Sequence, residues 1–258
     1  MMNILKGLAI CFSMYSIIPM PKVVWDKDSM KYTFCFFPVI GALIGALLLG
    51  WYWLASWLSL SVPLFSAAAV FIPIAISGGI HLDGFIDTCD AVFSYGDREK
   101  KLEILKDSRT GAFGVIGCAT LFIMQFGLYA QLKETSQYIV IAATGFVVSR
   151  CFAALALVFM KPAKTSGLGY VFSNNSGKRI VTITASVLMA FALIFMAVFS
   201  IKLAIVSTLL IILAAVWFHA FCTREFGGTT GDLIGFIITI VECLILTVGA
   251  LGGALAQF

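Results

Sequence analysis

Charged side chains are scarce in this 258-residue sequence, since only 12% of its residues are Asp, Glu, Lys or Arg while 61% are hydrophobic. A soluble globular domain carries about 25% charged residues. The apolar segments of this chain are also too long and too numerous to be the buried helices of a soluble core. The composition therefore argues against a water-soluble protein and predicts an integral membrane protein.

The sequence also lacks the patterns that disulfide frameworks and soft metal sites need. Its seven cysteines form no CxxC pair, and it has only two histidines. We expect the cysteines to be reduced, space-filling residues. No cleavable signal peptide is predicted, because the first apolar stretch runs into Pro19 and Pro21 without a small-residue cleavage site. We expect this stretch to belong to the mature protein.

Long apolar runs recur along the whole chain, each close to the roughly 20 residues that span a bilayer. They cover residues 3–19, 33–58, 62–80, 111–130, 137–160, 180–199, 203–222 and 233–251. The first is short enough to lie in the membrane interface, and the second carries Pro38 near its start and is expected to tilt or kink. We predict an all-α, polytopic transmembrane bundle of about eight helices, between about seven and nine, in a single domain over residues 1–258.

The connectors between these runs are either long or short. The long ones cover residues 20–32, 81–110, 161–179 and 223–232, and the short ones cover residues 59–61, 131–136 and 200–202. If every run crosses the membrane, the long connectors share one face and the short ones share the other. The long connectors hold thirteen Lys and Arg residues and the short ones two. By the positive-inside rule we expect the long connectors to face the cytoplasm.

The stretch from residue 78 to residue 114 contains seven of the thirteen acidic residues. Asp83, Asp87 and Asp90 are spaced i, i+4 and i+7, so in a helix their carboxylates share one face, with neighbouring Cβ atoms about 6 Å apart. Three like charges at a membrane boundary repel one another unless a cation or water neutralises them. Oxygen ligands favour Mg²⁺, Mn²⁺ or Ca²⁺, and a site open to water and phosphate is typical of Mg²⁺. We predict that these aspartates bind Mg²⁺; a solvated helix face is the alternative.

A charged segment with a few apolar residues follows the aspartates. Residues 97–109, DREKKLEILKDSR, predict a short amphipathic helix on the membrane surface. Its end delivers Asp107, Ser108 and Arg109 to the start of the next apolar run. A guanidinium grips two phosphate oxygens at once, so Arg109 is a candidate phosphate ligand. The alternative is a positively charged membrane anchor.

Other polar residues interrupt the later part of the chain. Lys164 lies in a Gly- and Ser-rich long connector, Asp232 lies at a glycine-rich helix start, and Arg150 and Glu242 lie inside apolar runs. An ionisable group inside a membrane helix is usually functional, and otherwise it forms hydrogen bonds within the bundle. We expect the long connectors together to supply a metal-binding acidic face, phosphate-binding bases and flexible glycines on one side of the membrane.

Several sequence blocks give the chain a family resemblance. They are GGIHLDGFIDTCD at 78–90, DSRTGAFG at 107–114, PAKTSGLG at 162–169, GGTTGD at 227–232 and FFPVIGALIGA at 36–46. On these blocks the chain resembles the cobalamin synthase family, the adenosylcobinamide-GDP ribazoletransferases. The resemblance implies a membrane-bound, Mg²⁺-dependent enzyme that joins adenosylcobinamide-GDP to α-ribazole or its 5′-phosphate. Such an enzyme releases GMP and forms adenosylcobalamin or its phosphate.

The positions of this sequence that match the family's motifs are His81, Asp83, Asp87, Asp90, Asp107, Arg109 and Asp232. We take as the catalytic set Asp83, Asp87, Asp90 and Arg109. We expect substrate binding from His81, Asp107, Ser108, Lys164, Arg150 and Asp232. Two positions depart from the pattern: Lys164 stands where Arg is expected and loses bidentate binding, and Thr239 stands where an acid is common.

The Asp-Gly-x-x-Asp-x-x-Asp pattern is also loosely similar to the CDP-alcohol phosphotransferases, which hold metal ions with aspartates. This similarity suggests a mechanism in which metal at the aspartates neutralises the diphosphate, one aspartate accepts the proton of the incoming ribose hydroxyl, and GMP leaves in line. The sequence does not assign the base among the three aspartates; Asp90 is the working choice.

Two other functions stay open at this point. A CDP-alcohol-type lipid phosphotransferase would need an Ala-Arg pair and a second Asp-x-x-x-Asp, which the sequence does not show. A divalent-cation transporter would place its acids near the midplane on facing helices, whereas most acids here lie in one connector. We expect a prokaryotic cytoplasmic membrane enzyme with its active site on the cytoplasmic side. Its expected partners are the two substrates and the lipid bilayer, without nucleic acid; a homo-oligomer is left open.

Overall fold

The computed structural model describes residues 2–134, 136–163 and 177–252, and in these residues the chain forms helices and no β-strand. From the N-terminus the helices are α1 Met2–Tyr15, α2 Lys27–Met30, α3 Phe37–Trp57, α4 Val62–Ser77, α5 Ile80–Phe93 and α6 Arg98–Ile104. They are followed by α7 Ala112–Glu134, α8 Ile139–Phe159, α9 Lys178–Phe199, α10 Ile201–Phe226 and α11 Gly231–Ala250.

The predicted all-α membrane bundle is confirmed. All eight predicted apolar runs are helical, but α1 has only 14 residues, too few to cross a bilayer. Within the described ranges, six helices are long and apolar enough to cross, or seven if α4 and α5 form one broken span. Pro38 lies in the first turn of α3, so it begins this helix instead of kinking it.

A sharp break separates α4 from α5. Gly78 and Gly79 have φ angles of 64° and 78°, in the left-handed region that glycine adopts without steric cost. The two helices therefore meet at a 98° bend. As a result the acidic stretch, which the sequence analysis counts within a long connector, forms a helix of its own.

Helices α8 and α11 form the centre of the bundle, since most of their residues are buried. Helix α3 packs closely against α8 at Gly45. A Cβ atom there would lie only 2.5 Å from the carbonyl oxygen of Ala143. Helices α9 and α10 instead expose many large apolar side chains, among them Phe191 and Val216. Such faces are expected to contact lipid.

The long connectors meet at one end of the bundle. The backbone N–H of Gly177 donates to the carbonyl of Lys31 at 3.2 Å, which joins the first long connector to the third. The N–H of Thr229 donates to the carbonyl of Lys161 at 2.8 Å, which joins the third to the fourth. This end therefore gathers the segments that we expect to share one face.

The predicted amphipathic helix is α6, and it is docked on the same end. The guanidinium of Arg98 donates to the carbonyls of Thr223 at 3.2 Å and Arg224 at 3.3 Å, at the C-terminal end of α10. The ammonium of Lys101 pairs with the carboxylate of Glu225 at 2.5 Å, and both side chains are largely buried. These contacts connect the second long connector to the fourth.

Two short connectors lie together at the opposite end. The ammonium of Lys133, at the end of α7, donates to the hydroxyl of Ser56, at the end of α3, at 2.9 Å. It also lies 5.1 Å from the centre of the Tyr52 ring. The arrangement agrees with the prediction that long and short connectors occupy opposite faces.

Candidate active site

Helix α5 crosses between α7 and α11 near their N-terminal ends. Its close approach to α11 depends on Gly84, where a Cβ atom would lie 2.5 Å from the carbonyl oxygen of Asp232. The rings of Phe85 and Phe236 stack with their centres 5.5 Å apart. These contacts bring the start of α11 beside the acidic face of α5.

The aspartates of α5 differ in their surroundings. Asp83 is exposed, Asp87 is half-buried and Asp90 is buried. Neither Asp83 nor Asp87 forms an ion pair with any residue that the structure describes. The charges of Asp83, Asp232 and Asp90 all repel a charge on Asp87. The negative charge around Asp87 thus comes from two helices.

Asp232 joins this group from the first turn of α11. The hydroxyl of Thr230 caps that helix, accepting from the N–H of Leu233 at 3.3 Å, and it also lies 3.3 Å from a carboxylate oxygen of Asp232. From the sequence we assign Asp232 to substrate binding, separately from the aspartates of α5. The structure places it among them.

Asp90 is held differently from the other two aspartates of its helix. Its oxygens accept hydrogen bonds from the N–H of Gly111 at 2.7 Å and the N–H of Gly114 at 2.8 Å, at the start of α7. Across the described ranges, no group of three or more His, Cys, Asp or Glu side chains is arranged to hold a metal ion. Metal binding by all three aspartates stays a prediction, and the structure shows the Asp90 carboxylate hydrogen-bonded to the start of α7.

Asp107, Ser108 and Arg109 lie together in the connector before α7. The Asp107 carboxylate accepts from the Arg109 guanidinium at 2.7 and 3.0 Å and from its backbone N–H at 3.1 Å. These hydrogen bonds lower the pKa of Asp107 to about 2. The Arg109 side chain is 87% exposed, and two residues later the N–H of Gly111 donates to Asp90 of α5.

Arg150, which the sequence suggests as a substrate ligand, is buried inside the bundle. Its side chain is 1% exposed and forms an ion pair with Glu242 of α11. It also donates to the hydroxyl of Ser149 at 2.9 Å. Substrate contact is not compatible with this placement, so the expectation for Arg150 is corrected. The sequence shows both charges inside apolar runs but not that they pair.

His81 also faces the bundle interior. It lies with Arg150, Thr239 and Glu242 around a cavity of about 30 Å³. Its Nε2 atom and the Nε atom of Arg150 have no hydrogen-bond partner among the described atoms. A cavity of this size has room for one or two water molecules. The His81 side chain is buried at this cavity, whereas Asp83 on the same helix is exposed.

Lys164, the last predicted substrate ligand, lies outside the described residues. The residues before it are fixed at the site end, since the N–H of Ala163 donates to the carbonyl of Thr229 at 2.8 Å. Thr229 is three residues before Asp232.

Comparison with known proteins identifies a family. The cobalamin-5-phosphate synthase family matches residues 7–250. A relative from Lachnoclostridium phytofermentans named adenosylcobinamide-GDP ribazoletransferase is 41% identical, over 94% of this chain and 92% of its own length. A relative of the same name from Clostridium botulinum strain Alaska E43 is 36% identical, over 94% of this chain and 96% of its own length. Another, from Geotalea daltonii, is 32% identical, over 92% of this chain and 94% of its own length. No solved structure matches the chain.

Proposed function

This chain belongs to the cobalamin-5-phosphate synthase family, and we propose that it transfers the adenosylcobinamide-phosphate group from adenosylcobinamide-GDP to α-ribazole or its 5′-phosphate. The products are GMP and adenosylcobalamin or its phosphate. The observation that carries this proposal is the acidic surface formed by Asp83, Asp87 and Asp232 at the end where the long connectors meet.

At this surface the pair Asp83 and Asp87 suits a divalent metal ion. The charge of Asp83 repels a charge on Asp87, and neither carboxylate is paired with a basic side chain among the described residues. Mg²⁺ is commonly bound by one or two carboxylates, with water and substrate phosphates completing its shell. We propose that Asp83 and Asp87 hold Mg²⁺, with Asp232 facing them. When bound, the ion neutralises charge on the diphosphate.

The transfer exchanges one phosphorus–oxygen bond for another. The ribose hydroxyl oxygen of α-ribazole bonds to the phosphorus that carries cobinamide, and the bond from that phosphorus to the GMP oxygen breaks. A carboxylate of the acidic surface accepts the hydroxyl proton. Asp90 is a poor choice for this base because both its oxygens already accept backbone hydrogen bonds, so we assign the role to Asp83 or Asp87.

Release of GMP tests the proposed activity against the two alternatives. Purified protein in liposomes should form GMP from adenosylcobinamide-GDP only when α-ribazole is present. Release of CMP from a CDP-alcohol in place of this reaction would identify a lipid phosphotransferase. Flux of Mg²⁺ without any soluble substrate would identify a transporter.

We propose that the acidic surface faces the cytoplasm of a bacterial cell membrane, since the long connectors carry most of the positive charge. In a protein whose half-buried Cys118 is replaced by Ser, a cysteine at exposed Ser94 should react with a membrane-impermeant maleimide only from the cytoplasmic side. A cysteine at exposed Gln137, at the other end, should react only from outside. Reaction of both from one side would contradict this topology.

Arg109, in the connector before α7, is expected to bind a substrate phosphate. Asp107 fixes its guanidinium by paired hydrogen bonds, and Lys cannot reproduce this geometry. Arg109→Lys should lower kcat/KM for GMP release by about 10- to 100-fold, or about 1.4–2.7 kcal/mol. Arg179→Lys, an exposed arginine at the same end, is the control. An unchanged kcat/KM would indicate that Arg109 is a membrane anchor and does not bind phosphate.

A further inference from the structure

The start of α7 lacks the side chains that usually cap a helix. In a capping box, the N-cap residue lies just before the first helical residue. Its side chain accepts from the N–H of the residue three positions later, and the side chain of that later residue accepts from the N–H of the N-cap residue. Both of these positions, Gly111 and Gly114, are glycine here. Helix α7 therefore has no local residue that can satisfy these two N–H groups.

A carboxylate from another helix performs both tasks. One oxygen of Asp90 accepts from Gly111 at 2.7 Å and the other accepts from Gly114 at 2.8 Å. Asp90 is only 8% exposed, and a buried carboxylate needs such partners. Its negative charge also interacts favourably with the positive end of the α7 dipole.

Both glycines are needed for this contact. A Cβ atom at Gly111 would overlap the Asp90 carboxylate and meets no other neighbour among its closest atoms. A Cβ atom at Gly114 would overlap the same carboxylate and would also lie 2.7 Å from a methyl group of Ile86. The two glycines of DSRTGAFG and the last aspartate of HLDGFIDTCD therefore form one structural unit.

We infer that Asp90 is a positioning residue that caps α7 from α5 and thereby fixes Asp83 and Asp87 relative to the segment carrying Arg109. The inference rests on the proposed function for what is being positioned. In this role Asp90 neither binds metal nor transfers a proton. Its effect on catalysis comes from the placement of the groups on either side of it, where errors of about 1 Å can cost about 100-fold in rate.

Hydrogen exchange tests the cap without any catalytic assay. In metal-free protein, the N–H groups of Gly111 and Gly114 should exchange slowly. Asp90→Asn keeps the shape of the side chain but leaves one oxygen acceptor, so exchange at one or both sites should become at least about 10-fold faster. Unchanged exchange in this variant would overturn the inference, whatever reaction the protein catalyses.

Kinetics separate positioning from metal binding. Asp90→Asn and Gly111→Ala should each lower kcat for GMP release by about 10- to 100-fold, with the half-activating Mg²⁺ concentration within about 2-fold of its original value. The double variant should lose little more than the worse single variant, because both changes break one contact. Gly127→Ala is the matched control, since a Cβ atom there has no neighbour within 4 Å.

A different set of kinetic results would assign metal binding to Asp90. Three results together would show that Asp90 is a metal ligand and that the inference is wrong. Asp90→Asn would raise the half-activating Mg²⁺ concentration about 10-fold or more, and its kcat would recover at excess Mg²⁺. Gly111→Ala would have the same kcat as Gly127→Ala. If the unaltered protein releases no GMP while the exchange result holds, the proposed function fails and the cap stands.

Discussion

Asp87→Asn should reduce α-ribazole-dependent GMP release by about 1,000-fold or more, which corresponds to about 4 kcal/mol of transition-state stabilisation. Asp87 is half-buried and receives repulsion from Asp83, Asp90 and Asp232, so negative charge from two helices acts on it. Asn preserves its shape and removes the charge that attracts a divalent ion. The initial rate of GMP formation at saturating substrate measures the effect.

The fold of this variant should survive, because removing one of several like charges relieves repulsion. Its unfolding temperature in detergent should equal or exceed that of the unaltered protein. Glu99→Gln, which removes an exposed charge from α6 at the same end, should leave the rate unchanged. A near-normal rate for Asp87→Asn at limiting Mg²⁺ would contradict the assignment of Asp87.

Arg150→Leu should lower the free energy of unfolding by about 3–5 kcal/mol, because it leaves Glu242 without its partner inside the bundle. The pair connects α8 to α11 where the Arg150 side chain is 1% exposed. Breaking a buried pair by removing one partner is far more costly than replacing both. Unfolding in mixed micelles with increasing SDS measures the change.

The double variant Arg150→Leu with Glu242→Leu is the control for this prediction. It removes both charges and should recover most of the lost stability. If Arg150→Leu alone changes the free energy of unfolding by less than about 0.5 kcal/mol, as surface substitutions do, the ion pair is not a structural element of the bundle.

Local features of the fold could be predicted from the sequence. Apolar runs of about 20 residues located every long helix, and the mixed segment at 97–109 indicated α6. The spacing of Asp83, Asp87 and Asp90 showed only that they would share one face of a helix. The stretch that forms α5 was counted within a connector. The crossings are fewer than the apolar runs because α1, which ends at Tyr15, is too short to cross and α4 crosses only together with α5.

Contacts between distant segments could not be predicted in the same way. Helical periodicity shows which side chains share a face, but not which helix that face meets. The sequence therefore grouped Asp90 with the metal ligands and could not show its hydrogen bonds to the start of α7. The charges of Arg150 and Glu242 are 92 residues apart in sequence, and only the packing of α8 on α11 shows that they neutralise each other.

We propose that an acidic surface on α5 and α11 supports a metal-dependent transfer to α-ribazole. The most direct test is a Mg²⁺ titration of GMP release by chelator-treated protein in liposomes, with adenosylcobinamide-GDP and α-ribazole both saturating. We expect less than about 1% of the maximal rate without Mg²⁺ and recovery as Mg²⁺ is added. Na⁺ at equal ionic strength should not restore the rate. A full rate of α-ribazole-dependent GMP release in the presence of chelator alone would contradict the claim.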